Sequence, residues 1–269
     1  MKTNINKKVV LVWSPSGSPG KTTIAANLAA IAANKGYITA HIELSRYVGS
    51  VPSLLLSRME QGKSIKNAIE SNEEREILRC FAQTKYENLF SLSMHPEDTL
   101  EDLYSFPLDD IKRVIQVART NFDMIFLDVP SGYIETGMMA AFESYPDRFI
   151  QVLDNNLSSW HALKLCDLLF KQLDTVVIPK PITVINKDEG NITDGMISEL
   201  GKDMVTIPPI NSRIFKIPYV SKMSYYGNEG ILVSEGLPGN FALGKIKKTL
   251  NALFVIIEND NHGKIKLSL

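Results

Sequence analysis

Apolar residues along this chain fall into two patterns. Short unbroken runs alternate with longer stretches in which they return every third or fourth position. The runs read as strands buried on both faces, and the spaced stretches as helices lying against them. Residues 9–13 form the first run and 37–44 the second, with 88–94 a looser third. Residues 123–128 and 148–153 are the strongest, and 182–186 and 204–208 complete the set. Helical spacing covers 24–31, 109–120, 158–172 and 241–258. In the third of these, Trp160 and Phe170 bracket Leu163, Leu165, Leu168 and Leu169, which read as core. Strands alternating with helices predict an α/β fold, a doubly wound and mostly parallel sheet with helices on both faces. No repeat or low-complexity linker breaks the series, so one domain over 1–269 is expected.

Composition adds little to this picture. The chain has 269 residues, 44% hydrophobic and 22% charged, with a formal net charge of −1. Such a balance does not demand nucleic acid as a partner. Cys80 and Cys166 lie far apart and form no metal-like cluster, which fits a reduced, cytoplasmic setting. The polar start and the brevity of the first apolar run argue against a signal peptide, and no segment approaches a membrane span. His41 sits inside a strand and reads as a packed histidine. His95, His161 and His262 are scattered without metal-ligand spacing.

The chemistry concentrates between the first strand and the first helix, in Ser14-Pro15-Ser16-Gly17-Ser18-Pro19-Gly20-Lys21-Thr22-Thr23. A strand, a loop of small residues and Gly-Lys-Thr opening a helix is the arrangement of a phosphate-binding P-loop. Backbone N–H groups of such a loop and the helix N-terminus favour anionic oxygens. Lys21 adds a point charge for the β- and γ-phosphates, and the Thr22 hydroxyl can ligate Mg²⁺. Pro15 stands where the strict pattern wants glycine, so the loop is a variant. Asp128 ends a strand and is suited to hold Mg²⁺ through its water shell; a turn-capping Asp is the plainer alternative.

These residues, with Asn27-Leu28-Ala29, the segment from Glu43 to Val51, and Phe122-Asp123-Met124-Ile125-Phe126-Leu127-Asp128-Val129-Pro130, carry a family resemblance. The chain resembles the MinD/ParA superfamily of P-loop ATPases with a deviant Walker A loop, and within it the CpaE/TadZ pilus-localisation group. The resemblance implies ATP and Mg²⁺ as ligands, with Gly17 to Thr23 around the phosphates and Thr22 and Asp128 at the metal. It implies a homodimer facing itself across bound ATP. It also implies a protein partner in a membrane-associated pilus, secretion or conjugation machine, which would recruit the chain to the membrane or pole. The receiver-like N-terminal domain frequent in that group is not expected here.

Two positions depart from the family pattern. Ser16 stands where most relatives carry a lysine that reaches the partner's phosphates, and Ser45 where they carry an aspartate that orients the attacking water. Glu43 matches an upstream acidic position and is expected lower on its strand. Losing a charged positioning group commonly costs catalysis ~10²–10³-fold, so hydrolysis is expected to be slow or absent, with Ser45 and Asp128 marking the catalytic positions. Asn186 matches an asparagine that faces adenine, and reads equally as a turn residue before Asp188. Pro208, in Ile207-Pro208-Pro209, resembles the proline loop that packs on the base, and reads equally as a strand end. A ParA-like partition ATPase binding DNA nonspecifically is the alternative. Its support is Arg213, Lys216 and Lys222 interleaved with aromatic residues.

Overall fold

The computed structural model describes residues 7–17, 19–45, 51–98, 106–132, 135–171, 177–202, 204, 214–235, 241–259 and 264–266. Its strands are β1 (Lys8–Trp13), β2 (Thr39–Glu43), β3 (Ala82–Gln83), β4 (Leu89–Leu92), β5 (Met124–Asp128), β6 (Arg148–Asp154), β7 (Val177–Pro179), β8 (Pro181–Asp188), β9 (Ile214–Pro218) and β10 (Lys264–Lys266). Eight of them form one sheet in the order β3-β4-β2-β5-β1-β6-β8-β9, parallel except where β3 runs against β4. β7 and β10 pair antiparallel beside it. Six of the seven strands expected from the sequence are present. Of the seventh, 205–208, including Pro208, lie outside the described residues. β9 takes the far edge instead, a mostly half-exposed strand whose short apolar run is broken by Lys216.

Ten helices are described: α1 (Lys21–Asn34), α2 (Val51–Leu54), α3 (Ile65–Glu70), α4 (Glu74–Arg79), α5 (Leu108–Asn121), α6 (Thr136–Glu143), α7 (Leu157–Phe170), α8 (Asp194–Gly201), α9 (Met223–Asn228) and α10 (Phe241–Asn259). They divide between the two faces of the sheet as strand alternation requires. Val10, Val12, Phe126 and Val152 point to the face covered by α1, α2 and α10. Val9, Leu11, Trp13 and Leu127 point to the face covered by α3 to α8. α7 is less buried than its leucines suggest. Leu163 is fully buried, but Leu165 and Leu168 are 54% and 52% exposed, because only one face of the helix meets the sheet.

In α10, Leu243, Ile246, Leu250, Leu253, Phe254 and Ile257 are buried against the domain itself. Its last turn is held from below the sheet. Lys8 Nζ donates to the Ile257 carbonyl at 3.0 Å and also to that of Glu258. Arg148 Nε donates to Ile257 O at 3.2 Å. Cations at a helix C-terminus satisfy carbonyls that the helix leaves open and complement its dipole. Among the described residues no helix is long and apolar enough to cross a membrane.

His41 is fully buried in β2, and neither ring nitrogen has a hydrogen-bond partner. Burial pushes its pKa down to about 4. The unfolded chain therefore takes up this proton near the ordinary value of 6.5 and the folded chain only near 4. Stability is full above about 6.5 and is lost as pH falls through that window, by on the order of 3 kcal/mol. His41→Leu is expected to flatten this acid limb, measured as the unfolding midpoint between pH 4 and 7. An unchanged limb would mean the histidine is solvated.

Candidate functional site

The site lies at the carboxyl ends of β1, β2 and β5, where ligands bind in open parallel sheets. β1 sits between β5 and β6, and its loop runs from Ser14 into α1. Gly20 has φ 92°, the left-handed region, and a Cβ there would lie 2.4 Å from Asn186 Nδ2. Glycine is required twice over, by the backbone and by the neighbour. The α1 N-terminus has no side-chain cap and no acidic residue in its first turn. Its first N–H groups are the open donors that an anion satisfies. Gly17 is exposed with open space around it, and Pro19 is buried. Ser18 lies outside the described residues.

Lys21 reaches across the loop to β5's exit. Its Nζ donates to Ser131 Oγ at 2.6 Å. Burial lowers its pKa, opposed by the charges of Asp128 and Glu43. Thr22 hydrogen-bonds Asp128, and burial pushes the Asp128 carboxyl up to about 6 against that bond and against Lys21. The two residues expected at the metal are thus already joined. Thr23 sits one position further, at the wall of a neighbouring cavity.

Glu43 lies inside β2, two residues below Ser45. It pairs in register with Asp128 as the last residue of β2, so both carboxylates leave the sheet on one face. Burial first, and the Asp128 charge second, push Glu43 up to about 8, while a Val51 backbone N–H and Lys21 pull it down. Its Oε2 is buried without a hydrogen-bond partner. A buried acceptor of this kind, beside a second carboxylate and a threonine hydroxyl, fits a hydrated divalent cation held by hard oxygen ligands.

Ser45 follows directly, half-buried, two residues past the end of β2. The preceding Leu44 N–H donates to Asp128 O at 2.9 Å, which ties this segment to the end of β5. On its other side α6 comes close. A Cβ on Gly137 would lie 2.7 Å from the Leu44 carbonyl oxygen and 3.0 Å from Leu44 Cβ. Backbone cannot retreat as a flexible side chain can, so Gly137→Ala is expected to destabilise the fold by about 1–3 kcal/mol. Chemical denaturation checks this, and a change under ~0.5 kcal/mol would show that α6 can move freely off Leu44.

Asn186 Nδ2 donates to Pro19 O at 2.7 Å. The amide is therefore oriented by the loop, with its NH₂ towards Pro19 and its oxygen turned away from that bond. It borders a cavity of about 330 Å³, the size of a small-ligand pocket. Gly20, Thr23 and Ile24 form one wall, Lys187, Pro218 and Tyr219 another, and Ser53 and Leu54 of α2 close the far side. Pro218, at the end of β9, lines the same cavity.

No protein-family model matches the chain. An uncharacterised ATP-binding protein of Methanocaldococcus jannaschii is 33% identical over 155 residues, 56% of this chain and 54% of that protein. The chain thus spans about half the length of this curated relative. The septum site-determining protein MinD of Pyrococcus horikoshii, solved with Mg-ADP, superposes with TM-score 0.73 at 17% identity, covering 94% of this chain and 96% of that one. A ParA family ATPase of Chlorobium tepidum gives TM-score 0.74 at 19% identity, covering 93% and 99%. At these identities the likeness is one of architecture, and the fold of this chain is that of the MinD/ParA-type P-loop ATPases.

Proposed function

We propose that this chain is a MinD/ParA-type ATP-binding spatial organiser. In this reading Mg·ATP acts chiefly as a conformational ligand, and turnover is slow or absent. The observation that carries the reading is Lys21, a half-buried cation whose hydrogen bond goes to a neutral hydroxyl, at the mouth of an uncapped helix. A cation whose hydrogen bond is spent on a neutral hydroxyl and open N–H donors together suit a polyanion. Gly20 to Thr23 would hold the phosphates, and Thr22, Asp128 and Glu43 the hydrated Mg²⁺, which when bound neutralises phosphate charge. The base would enter the cavity beside Asn186 and Pro218. There the asparagine oxygen would accept from the N6 amine of adenine, where guanine presents the O6 acceptor instead.

Weak hydrolysis follows from Ser16 and Ser45, which lack the charges that relatives are expected to use. The chain would dimerise across ATP and serve a protein partner of a pilus, secretion or conjugation machine, as the CpaE/TadZ resemblance suggests. The deciding experiment records nucleotide affinity, oligomeric mass and phosphate release on one sample at saturating Mg·ATP. The expected result is tight binding, a dimer mass and negligible turnover. Steady turnover stimulated by DNA would move the assignment to an active partition ATPase. Failure to bind any nucleoside triphosphate would end the reading altogether.

A further inference from the structure

Ser131 lies just past β5, where the wiring of the loop meets Lys21. Lys21 Nζ donates to Ser131 Oγ at 2.6 Å, and Ser131 Oγ lies 3.0 Å from Ser14 Oγ. A hydroxyl has one hydrogen to give. That of Ser14 goes to the Ser16 carbonyl at 2.6 Å, so the hydrogen between the two serines belongs to Ser131. The chain of donation therefore has a direction, from Lys21 through Ser131 and Ser14 to the backbone of Ser16. The Ser16 hydroxyl in turn lies 3.2 Å from Ser159 Oγ in the first turn of α7, and that oxygen accepts from the Asp154 N–H at 3.1 Å.

This arrangement is complete but weakly bonded at one point. The Ser131 hydrogen is spent on a neutral oxygen at 3.0 Å, the long end of the range for such bonds. Lys21 is a cation spent on a neutral acceptor. An anionic oxygen placed between them is the stronger partner for both groups. Ser131 is half-buried on the loop after Asp128 and is backed by the Gly132 N–H to Ser14 O bond at 3.1 Å. Turning its hydroxyl requires one side-chain rotation and no backbone movement.

The geometry points to Ser131 as a direct ligand of the terminal phosphate of a nucleoside triphosphate, its hydroxyl turning from Ser14 to that phosphate as Lys21 does. The inference rests on the nucleotide-binding reading above and deepens it. It assigns part of the discrimination between triphosphate and diphosphate to a neutral side chain, in a loop whose position 16 carries no cation. It also gives that discrimination an outlet. When Ser131 leaves Ser14, the Ser14 hydroxyl loses the donor that holds it while keeping its own bond to the Ser16 carbonyl, and Ser16 touches α7 through Ser159.

Threonine and valine at position 131 have nearly the same shape and differ in the hydroxyl. Dissociation constants for Mg·ATP and Mg·ADP are measured by calorimetry on the full chain, the wild type, Ser131→Thr and Ser131→Val. Ser131→Val is expected to lose about tenfold of the preference for ATP over ADP, the worth of one hydrogen bond to a charged group. Ser131→Thr is expected to keep that preference. A wild-type preference retained in Ser131→Val overturns the assignment. So does an equal loss in both variants, which would make the effect one of shape, and so does a wild type with no preference to lose. A wild type that binds neither nucleotide overturns the nucleotide reading itself, so the two failures are distinct.

Discussion

Lys21→Ala is expected to weaken Mg·ATP binding by on the order of 10²–10³-fold, the effect of deleting charge-assisted bonds to two phosphates. Calorimetric titration of the folded variant measures it directly. The variant should fold, because Lys21 is half-buried at a helix start and its hydrogen-bond partner among the described residues is the half-buried Ser131. Losing the cation also removes an opposing charge from Asp128 and Glu43. Both carboxyls should then hold their protons more tightly, and Mg²⁺ affinity should fall along with nucleotide affinity. Binding within threefold of wild type would place the phosphates elsewhere.

Ser45→Asp should act in the opposite sense and raise steady-state phosphate release by about 10²-fold, the usual worth of a charged positioning group in a closed site. The segment is already held in place. Leu44 is tied to Asp128 on one side and packed under Gly137 on the other, so a carboxylate at position 45 would extend from a fixed base. Phosphate release is read at saturating nucleotide, with affinity measured in parallel. Unchanged turnover in a variant that still binds Mg·ATP would show that the missing charge is not what limits hydrolysis. The same comparison separates the two departures of this loop, since Ser16 is left untouched.

Much of this site was legible in sequence because its parts are local. The loop from Ser14 to Thr23 is continuous, and its meaning depends on a strand before it and a helix after it, both of which show as apolar patterns. Asp128 announced itself by ending the most apolar strand. The pairing of Glu43 with Asp128 is not legible, for the opposite reason. The level of Glu43 on the sheet is set by pairing with a strand 85 positions away in sequence, and register is a property of that pairing. Ser131 was missed because a serine after Val129-Pro130 looks like any turn residue until Lys21 is seen to reach it. That Pro218 lines one cavity with Asn186 depends on β9 lying next to β8, where Pro218 pairs with Asp188, and the short apolar run of β9 is broken by Lys216. Leu165 and Leu168 were read as core because helical spacing tells which residues share a face and leaves open whether that face is covered.

The grip of Lys8 and Arg148 on the last turn of α10 has a mechanical meaning. Lys8 is the first residue of β1, the strand whose other end carries the nucleotide loop, and Arg148 is the first residue of β6 beside it. A pull on the end of α10 directed along the strands therefore reaches two adjacent inner strands at their first residues, besides β9 and α1, on which the helix packs. Hydrogen bonds of a ladder lie across the strands, so such a pull shears many of them at once instead of opening them one by one. Across the roughly 20 Å of β1, traction at one end is resisted by the ladders with β5 and β6 before it reaches the phosphate loop. A chain tethered by this helix could bear load while its nucleotide site stays undistorted.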